Sequence, residues 1–205
     1  MAIKTKLSII SIVIVLTIGY LPTPVSASGS SVTHSELINS ASNEAFDKPK
    51  NGQSNVVSAL YLDKSIALQI EKQPIGNSNF VSPLPNYVTE YRTASNYGTI
   101  GLLAHNYLAG RYFFQILPGQ EIELVYSDNR IERFVVTKIQ KYQALSPNNP
   151  SSNFTNLATG EYLTASQLFR KMYKNQTGHL VLQTCIYADQ NSTWGRLFII
   201  AEPIK

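Results

Sequence analysis

The sequence contains a single cysteine, Cys185, and its neighbours decide what chemistry that thiol could perform. Cys185 ends an apolar run and precedes a polar segment, a position where a reactive side chain can be held rigidly and still be exposed. His105 also ends an apolar run, and Arg196 begins the next one after the cysteine. A cysteine, a histidine and an arginine placed in this way could catalyse covalent acyl transfer.

Each of the three residue types has a distinct part in such chemistry. A thiol is a strong nucleophile only as the thiolate, which a neighbouring imidazolium or guanidinium favours. His105 would supply that partner and would later protonate the leaving amine. Arg196 is always charged and offers a fork of donors, so it could stabilise an oxyanion or hold a substrate carbonyl.

Simpler interpretations exist for the same residues. A lone cysteine in an exported chain is a buried thiol, a partner in an intermolecular disulfide or a nucleophile. Arg196 could be a surface charge beside Trp194, and His105 a solvated residue at a strand end. His179 is the main alternative as the catalytic base.

The elements that must position these residues are strands. Residues 98–105 and 179–186 are apolar runs that end at His105 and next to Cys185, and residues 195–201 form a third run that contains Arg196. The loop between the last two runs is long enough for a return, so Cys185 and Arg196 could lie side by side. Residues 121–126 alternate polar and apolar side chains, and a turn at 127–130 connects them to a return strand at 131–139.

The remaining pattern predicts a mainly β domain. Residues 56–70 contain a first strand or a short helix, and residues 74–86 and 146–153 are loops rich in Pro, Asn and Gly or Ser. Residues 163–173 form the one convincing helix, which Thr164 or Ser166 could cap. Many short strands separated by frequent turns favour a closed antiparallel or mixed barrel with one or two short helices.

The N-terminal residues resemble an export signal. Lys4 and Lys6 precede a charge-free apolar run at 7–21, and Val25-Ser26-Ala27 is a small-x-small cleavage pattern. We therefore expect a signal peptide at 1–27, with an uncleaved membrane anchor at 7–21 as the alternative. Residues 28–55 are a polar linker or stalk, and 56–205 are the folded domain. The domain is thus expected to be secreted or otherwise extracytoplasmic.

Composition and charge exclude several classes of function. The chain is 43% hydrophobic and only 15% charged, which excludes a disordered tail protein. Loss of Lys4 and Lys6 with the signal would lower the formal net charge from +4 to +2, and basic residues do not cluster with aromatic ones, so nucleic acid is not an expected partner. The three histidines show no metal-ligand spacing, so we expect no metal or other cofactor.

Several motifs in the domain resemble those of the sortases, the transpeptidases of bacterial cell envelopes. A histidine follows an apolar strand at Ala104-His105, and a Pro-Gly-Gln-Glu-Ile segment follows at 118–122. A Leu-x-Leu-x-Thr-Cys strand ends at Cys185, and Gly195-Arg196 opens the last strand. The resemblance covers about residues 95–203. Ala104 stands where sortases usually have Gly, and Gln120 where they usually have Asp.

The resemblance implies a closed eight-stranded β-barrel with a helical insertion before the cysteine strand. It also implies a monomeric enzyme that cleaves a sorting motif in exported proteins through a thioester on Cys185. The acyl group would pass to an amine on the cell envelope or on a pilin. His105, Cys185 and Arg196 would be catalytic, and Thr184 and Trp194, which lie beside them in the sequence, would bind substrate. A cysteine endopeptidase that uses water and a non-catalytic binding module of the same fold are the alternatives.

Overall fold

The computed structural model describes residues 55–205, and these residues fold around ten strands. The predicted signal at 1–27, the anchor at 7–21 and almost all of the stalk at 28–55 lie outside the described residues. Within residues 55–205, no helix has the length and apolar character needed to cross a membrane. The strands are β1 (Val57–Tyr61), β2 (Ala67–Lys72), β3 (Tyr87–Glu90), β4 (Ile100–Ala104), β5 (Glu121–Tyr126), β6 (Ile131–Ala144), β7 (Phe154–Asn156), β8 (Tyr162–Leu163), β9 (Leu180–Ala188) and β10 (Asn191–Pro203).

Eight of the ten strands form a closed barrel. The hydrogen-bonded order runs β10-β9-β4-β3-β2-β1-β5-β6, and a second pairing between β10 and β6 closes the ring. Most pairs are antiparallel, but β2–β3 and β4–β9 are parallel. Strand β6 is long enough to pair with β5 through its first half and with the short β7–β8 hairpin through its last residues. The predicted closed eight-stranded barrel is confirmed.

The barrel interior follows from alternation of side chains along the strands. Every barrel strand contributes to one hydrophobic cluster, for example Leu60 from β1, Leu124 from β5, Leu182 from β9 and Ile199 from β10. Because alternate side chains of a strand point to opposite faces, the residues between these face outward. Burial of this cluster supplies the main driving force for closing the sheet.

A second hydrophobic cluster covers part of the outer face. It joins Val181 of β9, Phe198 of β10 and Tyr142 of β6 to Met172 and Tyr173. Helix α1 spans Arg92–Ser95, and helix α2 spans Ala165–Phe169. Met172 and Tyr173 lie in a turn of π-helix, Arg170–Lys174, that continues α2. The insertion before β9 therefore packs on the outside of the barrel.

The helical predictions are partly wrong in detail. The expected helix at 163–173 begins after Thr164. Of the two candidate caps, Thr164 and Ser166, Thr164 caps the helix in a capping box with Gln167. Leu163 belongs instead to β8, because its buried side chain pairs opposite Phe154. A further 3-10 helix, Ala109–Gln115, lies between β4 and β5. The region 56–70, left open as a strand or helix, holds β1 and the start of β2.

Candidate active site

Strands β9 and β10 bring Cys185 and Arg196 together. The two residues are directly opposite partners in the antiparallel ladder. Side chains of such partners have their Cβ atoms about 4.5–5.5 Å apart. The ladder is regular from Arg196 to Ala201, so alternation places Cys185 and Arg196 on the same outer face as Val181 and Phe198.

Strand β4 brings His105 to the same place. It runs parallel to β9, with Leu103 opposite Gln183 and Ala104 opposite Thr184. His105 is the next residue and continues this register toward Cys185. Neighbouring strands lie about 4.8 Å apart, so this register brings the backbone of His105 close to that of Cys185. The three predicted catalytic residues thus share one end of the outer face, although 80 residues separate Ala104 from its partner Thr184.

All three side chains are half-buried. Such a position leaves them accessible to a substrate, while the backbones of Cys185 and Arg196 are fixed in the sheet and His105 directly follows β4. The guanidinium of Arg196 donates from Nη1 to the carbonyl oxygens of Thr193 and Gly195, both at 2.9 Å. Its carbon Cζ lies 5.9 Å from the centre of the Phe154 ring on β7. These contacts use only part of the donor capacity of the guanidinium.

Thr184, one of the two candidate substrate-binding residues, points in the other direction. It is 2% exposed, and its hydroxyl donates to the carbonyl oxygen of Ala104 at 2.8 Å. Gly110 of the 3-10 helix packs directly on this hydroxyl, where a Cβ atom would clash. Thr184 therefore joins β9 to the end of β4, next to the backbone of His105.

Trp194, the other candidate for substrate binding, lies on β10 beside Gly195 and is half-buried. Strand β10 is irregular between Asn191 and Gly195, so this part of the strand departs from the ladder that holds Arg196. The residue next to it, Thr193, accepts one of the bonds from the arginine through its carbonyl oxygen. Trp194 thus precedes Arg196 by two residues, near the start of β10.

Asn106 and Tyr107, the two residues that follow His105, contribute to the site, and neither was predicted from the sequence. The ring of Tyr107 is stacked on His105, with centroids 5.3 Å apart and planes inclined by 24°. Asn106 donates from Nδ2 to the carbonyl oxygen of Ser192 at 3.1 Å, which links the loop after β4 to the start of β10. Only their position beside His105 could have indicated them, because neither contact follows a periodic pattern.

Behind the site, Tyr173 supports β9 from the helical insertion. Its hydroxyl donates to Oε1 of Gln183 at 2.6 Å, two residues before Cys185. Burial raises the pKa of Tyr173 well above its usual value, and the nearby charge of Arg196 acts in the opposite direction. The phenol is therefore a neutral donor under ordinary conditions.

His179, the alternative base, lies away from the cysteine. It precedes β9, whereas Cys185 is near the other end of that strand, so about 20 Å of extended chain separates them. Its Nδ1 lies 2.8 Å from Oε1 of Gln176. By register, the backbone of His105 and not that of His179 is next to Cys185. In the described part of the chain, no group of three or more His, Cys, Asp and Glu side chains could hold a metal ion.

The arrangement defines a closed β-barrel with a thiol, an imidazole and a guanidinium at one end of its outer face. Solved structures that resemble the chain include several sortases. They include sortase A of Listeria monocytogenes (TM-score 0.44, 15% identity, 73% of this chain and 88% of that one). A sortase D5 transpeptidase of Clostridium perfringens has a TM-score of 0.45 and 13% identity over 82% of this chain and 89% of that one. A sortase of Actinomyces oris has a TM-score of 0.48 and 14% identity over 74% and 81%.

The comparisons of sequence gave no further relative. No protein-family model matches the chain, and no curated protein is a significant match.

Proposed function

We propose that the chain is a sortase-type cysteine transpeptidase with Cys185 as nucleophile, His105 as general acid and base, and Arg196 as the electrostatic stabiliser. One observation carries the proposal. In the register of the sheet, Arg196 is directly opposite Cys185, and His105 follows Ala104, the partner of Thr184. A thiol that served only to fill the core would need neither neighbour.

In the first half of the reaction, the Cys185 thiolate attacks the carbonyl carbon of a substrate peptide bond. A carbon–sulfur bond forms, and the carbonyl oxygen becomes an oxyanion near the guanidinium of Arg196. As the intermediate collapses, the carbon–nitrogen bond breaks. The proton of the His105 imidazolium passes to the departing amine, leaving a thioester on Cys185 and a neutral imidazole.

In the second half, an acceptor amine attacks the thioester carbon. His105 takes the proton from the attacking nitrogen, a new amide bond forms, and the carbon–sulfur bond breaks to restore the thiolate. Water in place of the amine would give a carboxylic acid, and the protein would then be an endopeptidase. The same side chains serve both outcomes, so only the acceptor distinguishes them.

The substrate class and the location follow from the sequence motifs. Sortase-like motifs around His105, Cys185 and Arg196 favour exported proteins with a sorting motif as acyl donors. The acceptor would be an amine of the cell envelope or of a pilin. The export signal expected at 1–27 would place the domain outside the cytoplasm, either free or anchored by residues 7–21.

Intact-mass spectrometry tests the proposal directly. The purified protein is incubated with a pool of sorting-motif peptides, alongside Cys185→Ala, His105→Ala and Arg196→Ala. We expect an acyl adduct on the unaltered protein, no adduct on Cys185→Ala, and release of the acyl group as an amide when an amine is added. Release only as the free acid would assign an endopeptidase. Peptide binding that persists in Cys185→Ala, with no adduct on the unaltered protein, would indicate a binding module.

A further inference from the structure

A second cleft lies at the end of the barrel opposite to the candidate active site. It is found where β2 and β3 end and β4 begins, whereas His105 follows the last residue of β4. Its volume is about 550 Å³, which is within the range of small-molecule sites. The end of β2 and the loop after it form one wall, and α1 with Asn96 forms the other. The residues that line it include Lys72, Gln73, Ser78, Glu90, Arg92 and Ser95.

Glu90 is the unusual residue of this cleft. Its side chain is only 16% exposed, and its Oε2 atom is buried without a hydrogen-bond partner. The other oxygen, Oε1, accepts a long bond of 3.4 Å from the hydroxyl of Ser95. Burial raises the pKa of Glu90, and the nearby charges of Lys72 and Arg92 oppose that rise. An unsatisfied buried carboxylate oxygen is costly, and a donor supplied by a ligand would remove that cost.

Two cations stand beside this carboxylate at the mouth of the cleft. The ammonium of Lys72 is 4.0 Å from Oε2 of Glu90 and half exposed, so the contact is loose. Arg92 is exposed on α1 and lines the same cleft. The buried acceptor Glu90 therefore has one cation, Lys72, in loose contact, and a second cation, Arg92, lines the same cleft.

The walls of the cleft are fixed in advance. The side chain of Gln73 is 2% exposed, and its Nε2 donates to the carbonyl oxygens of Ser78 at 2.8 Å and Phe80 at 3.1 Å. Its backbone N–H donates to the carbonyl oxygen of Glu90 at 3.2 Å. These bonds hold the loop after β2 against the end of β3, so little conformational freedom would be lost when a ligand binds.

We propose that this cleft binds the head group of a free α-amino acid, with the ammonium on Glu90 and the carboxylate on Lys72 and Arg92. The ammonium and the carboxylate of an α-amino acid are attached to the same carbon. Their short separation matches the cleft, in which the Glu90 carboxylate and the cations lie near one another. The rest of the cleft leaves room for a side chain. Because the site lies at the other end of the barrel from Cys185, the proposal does not depend on transpeptidation.

The test is a binding measurement that needs no catalytic activity. The twenty amino acids are screened against the purified protein by thermal shift, and the best one is titrated by calorimetry. Its N-acetyl and carboxamide derivatives are titrated in parallel. We expect saturable binding of the free amino acid with a Kd of about 1 mM or tighter, and binding at least about tenfold weaker for each blocked derivative.

Matched variants locate the binding. Glu90→Gln keeps the shape of the side chain but removes its charge, and Lys72→Gln removes one cation, so each should weaken binding about tenfold or more. Lys138→Gln, an exposed change on β6, should leave the affinity unaltered. The unfolding midpoint of each variant verifies its fold. If Glu90→Gln is misfolded, the affinity of Lys72→Gln for the amino acid decides the test. The proposal is overturned if no amino acid saturates the protein, if blocked derivatives bind equally well, or if the cleft variants bind as well as the unaltered protein.

Discussion

Arg196 stands directly opposite Cys185 across the β9–β10 ladder, and within residues 55–205 it forms no ion pair with a carboxylate. Its contacts are instead with two backbone carbonyl oxygens, those of Thr193 and Gly195. The positive charge is therefore not neutralised by a neighbouring acid. A fixed cation next to a thiol is suited to a reaction in which negative charge develops beside the sulfur.

The first prediction concerns the geometry of this guanidinium. Arg196→Lys keeps the charge but loses the planar guanidinium. In the unaltered protein, Nη1 of this group donates to Thr193 and Gly195, which leaves its other N–H groups for a substrate. We expect acyl-enzyme formation to slow about 100-fold, the usual size of an effect from losing one preorganised donor. Stopped-flow quenching followed by intact-mass analysis measures this rate. Arg170→Lys, an exposed change, is the control, and an unaltered rate in Arg196→Lys would exclude Arg196 from the mechanism.

The second prediction concerns the packing beneath His105. In Gly110→Ala, the new methyl group would lie 2.7 Å from the carbonyl oxygen of His105 and closer still to the hydroxyl of Thr184. These are backbone and buried atoms that cannot move aside cheaply, so we expect a loss of about 1–3 kcal/mol in the free energy of unfolding. We also expect slower acyl transfer under conditions where the variant is fully folded. Urea unfolding and the acylation rate are the two measurements.

Gly160→Ala provides the comparison for this change. A Cβ atom there would meet no neighbour, but the residue has a φ of +73°. The cost should be the backbone strain of about 1–2 kcal/mol, with an unaltered acylation rate. If Gly110→Ala reacts as fast as Gly160→Ala, the close packing next to His105 has no catalytic importance.

The sequence predicted the strands well wherever one face is buried. Residues 121–126 alternate polar and apolar side chains, and β5 has the same bounds, because its even positions fill the barrel interior. It also indicated that Cys185 and Arg196 could be neighbours, since a short hairpin joins their strands. Such local relationships depend only on periodicity and loop length.

The long-range relationships required the structure. The approach of His105 to Cys185 depends on parallel pairing of β4 with β9, and no local pattern encodes which strands pair. The stacking of Tyr107 on His105 depends on the path of the loop after β4. A helix was expected at 163–173, whereas the structure has α2 at Ala165–Phe169 followed by a π-helical turn. No local pattern indicates that turn, in which Met172 and Tyr173 pack against the barrel.

The third prediction concerns the stacking of Tyr107 on His105. Tyr107→Ala removes the ring that limits the orientation of the imidazole, and an aromatic pair contributes about 0.5–1.5 kcal/mol. We expect kcat/KM to fall about 2- to 10-fold with no comparable loss of stability, because the side chain is 65% exposed. Tyr107→Phe keeps the ring and should restore the rate. Tyr162→Ala, which removes another exposed tyrosine, should have no effect; failure of Phe to restore the rate would refute stacking as the cause.

The fourth prediction concerns stability at alkaline pH. Burial, together with the bond from the Tyr126 hydroxyl to Glu132, raises the pKa of Tyr126 to about 12, whereas an unfolded tyrosine titrates near 10. Between these values the unfolded state binds fewer protons than the folded state, so the free energy of unfolding should fall as pH rises. One such group changes it by at most about 1.4 kcal/mol per pH unit. Urea unfolding is measured at pH values from about 9 to about 12, a range that spans the two pKa values. The free energy of unfolding should fall less steeply with pH in Tyr126→Phe, which has no phenol proton to lose. Equal slopes in the two proteins would mean that another buried group, such as Tyr173, governs alkaline unfolding.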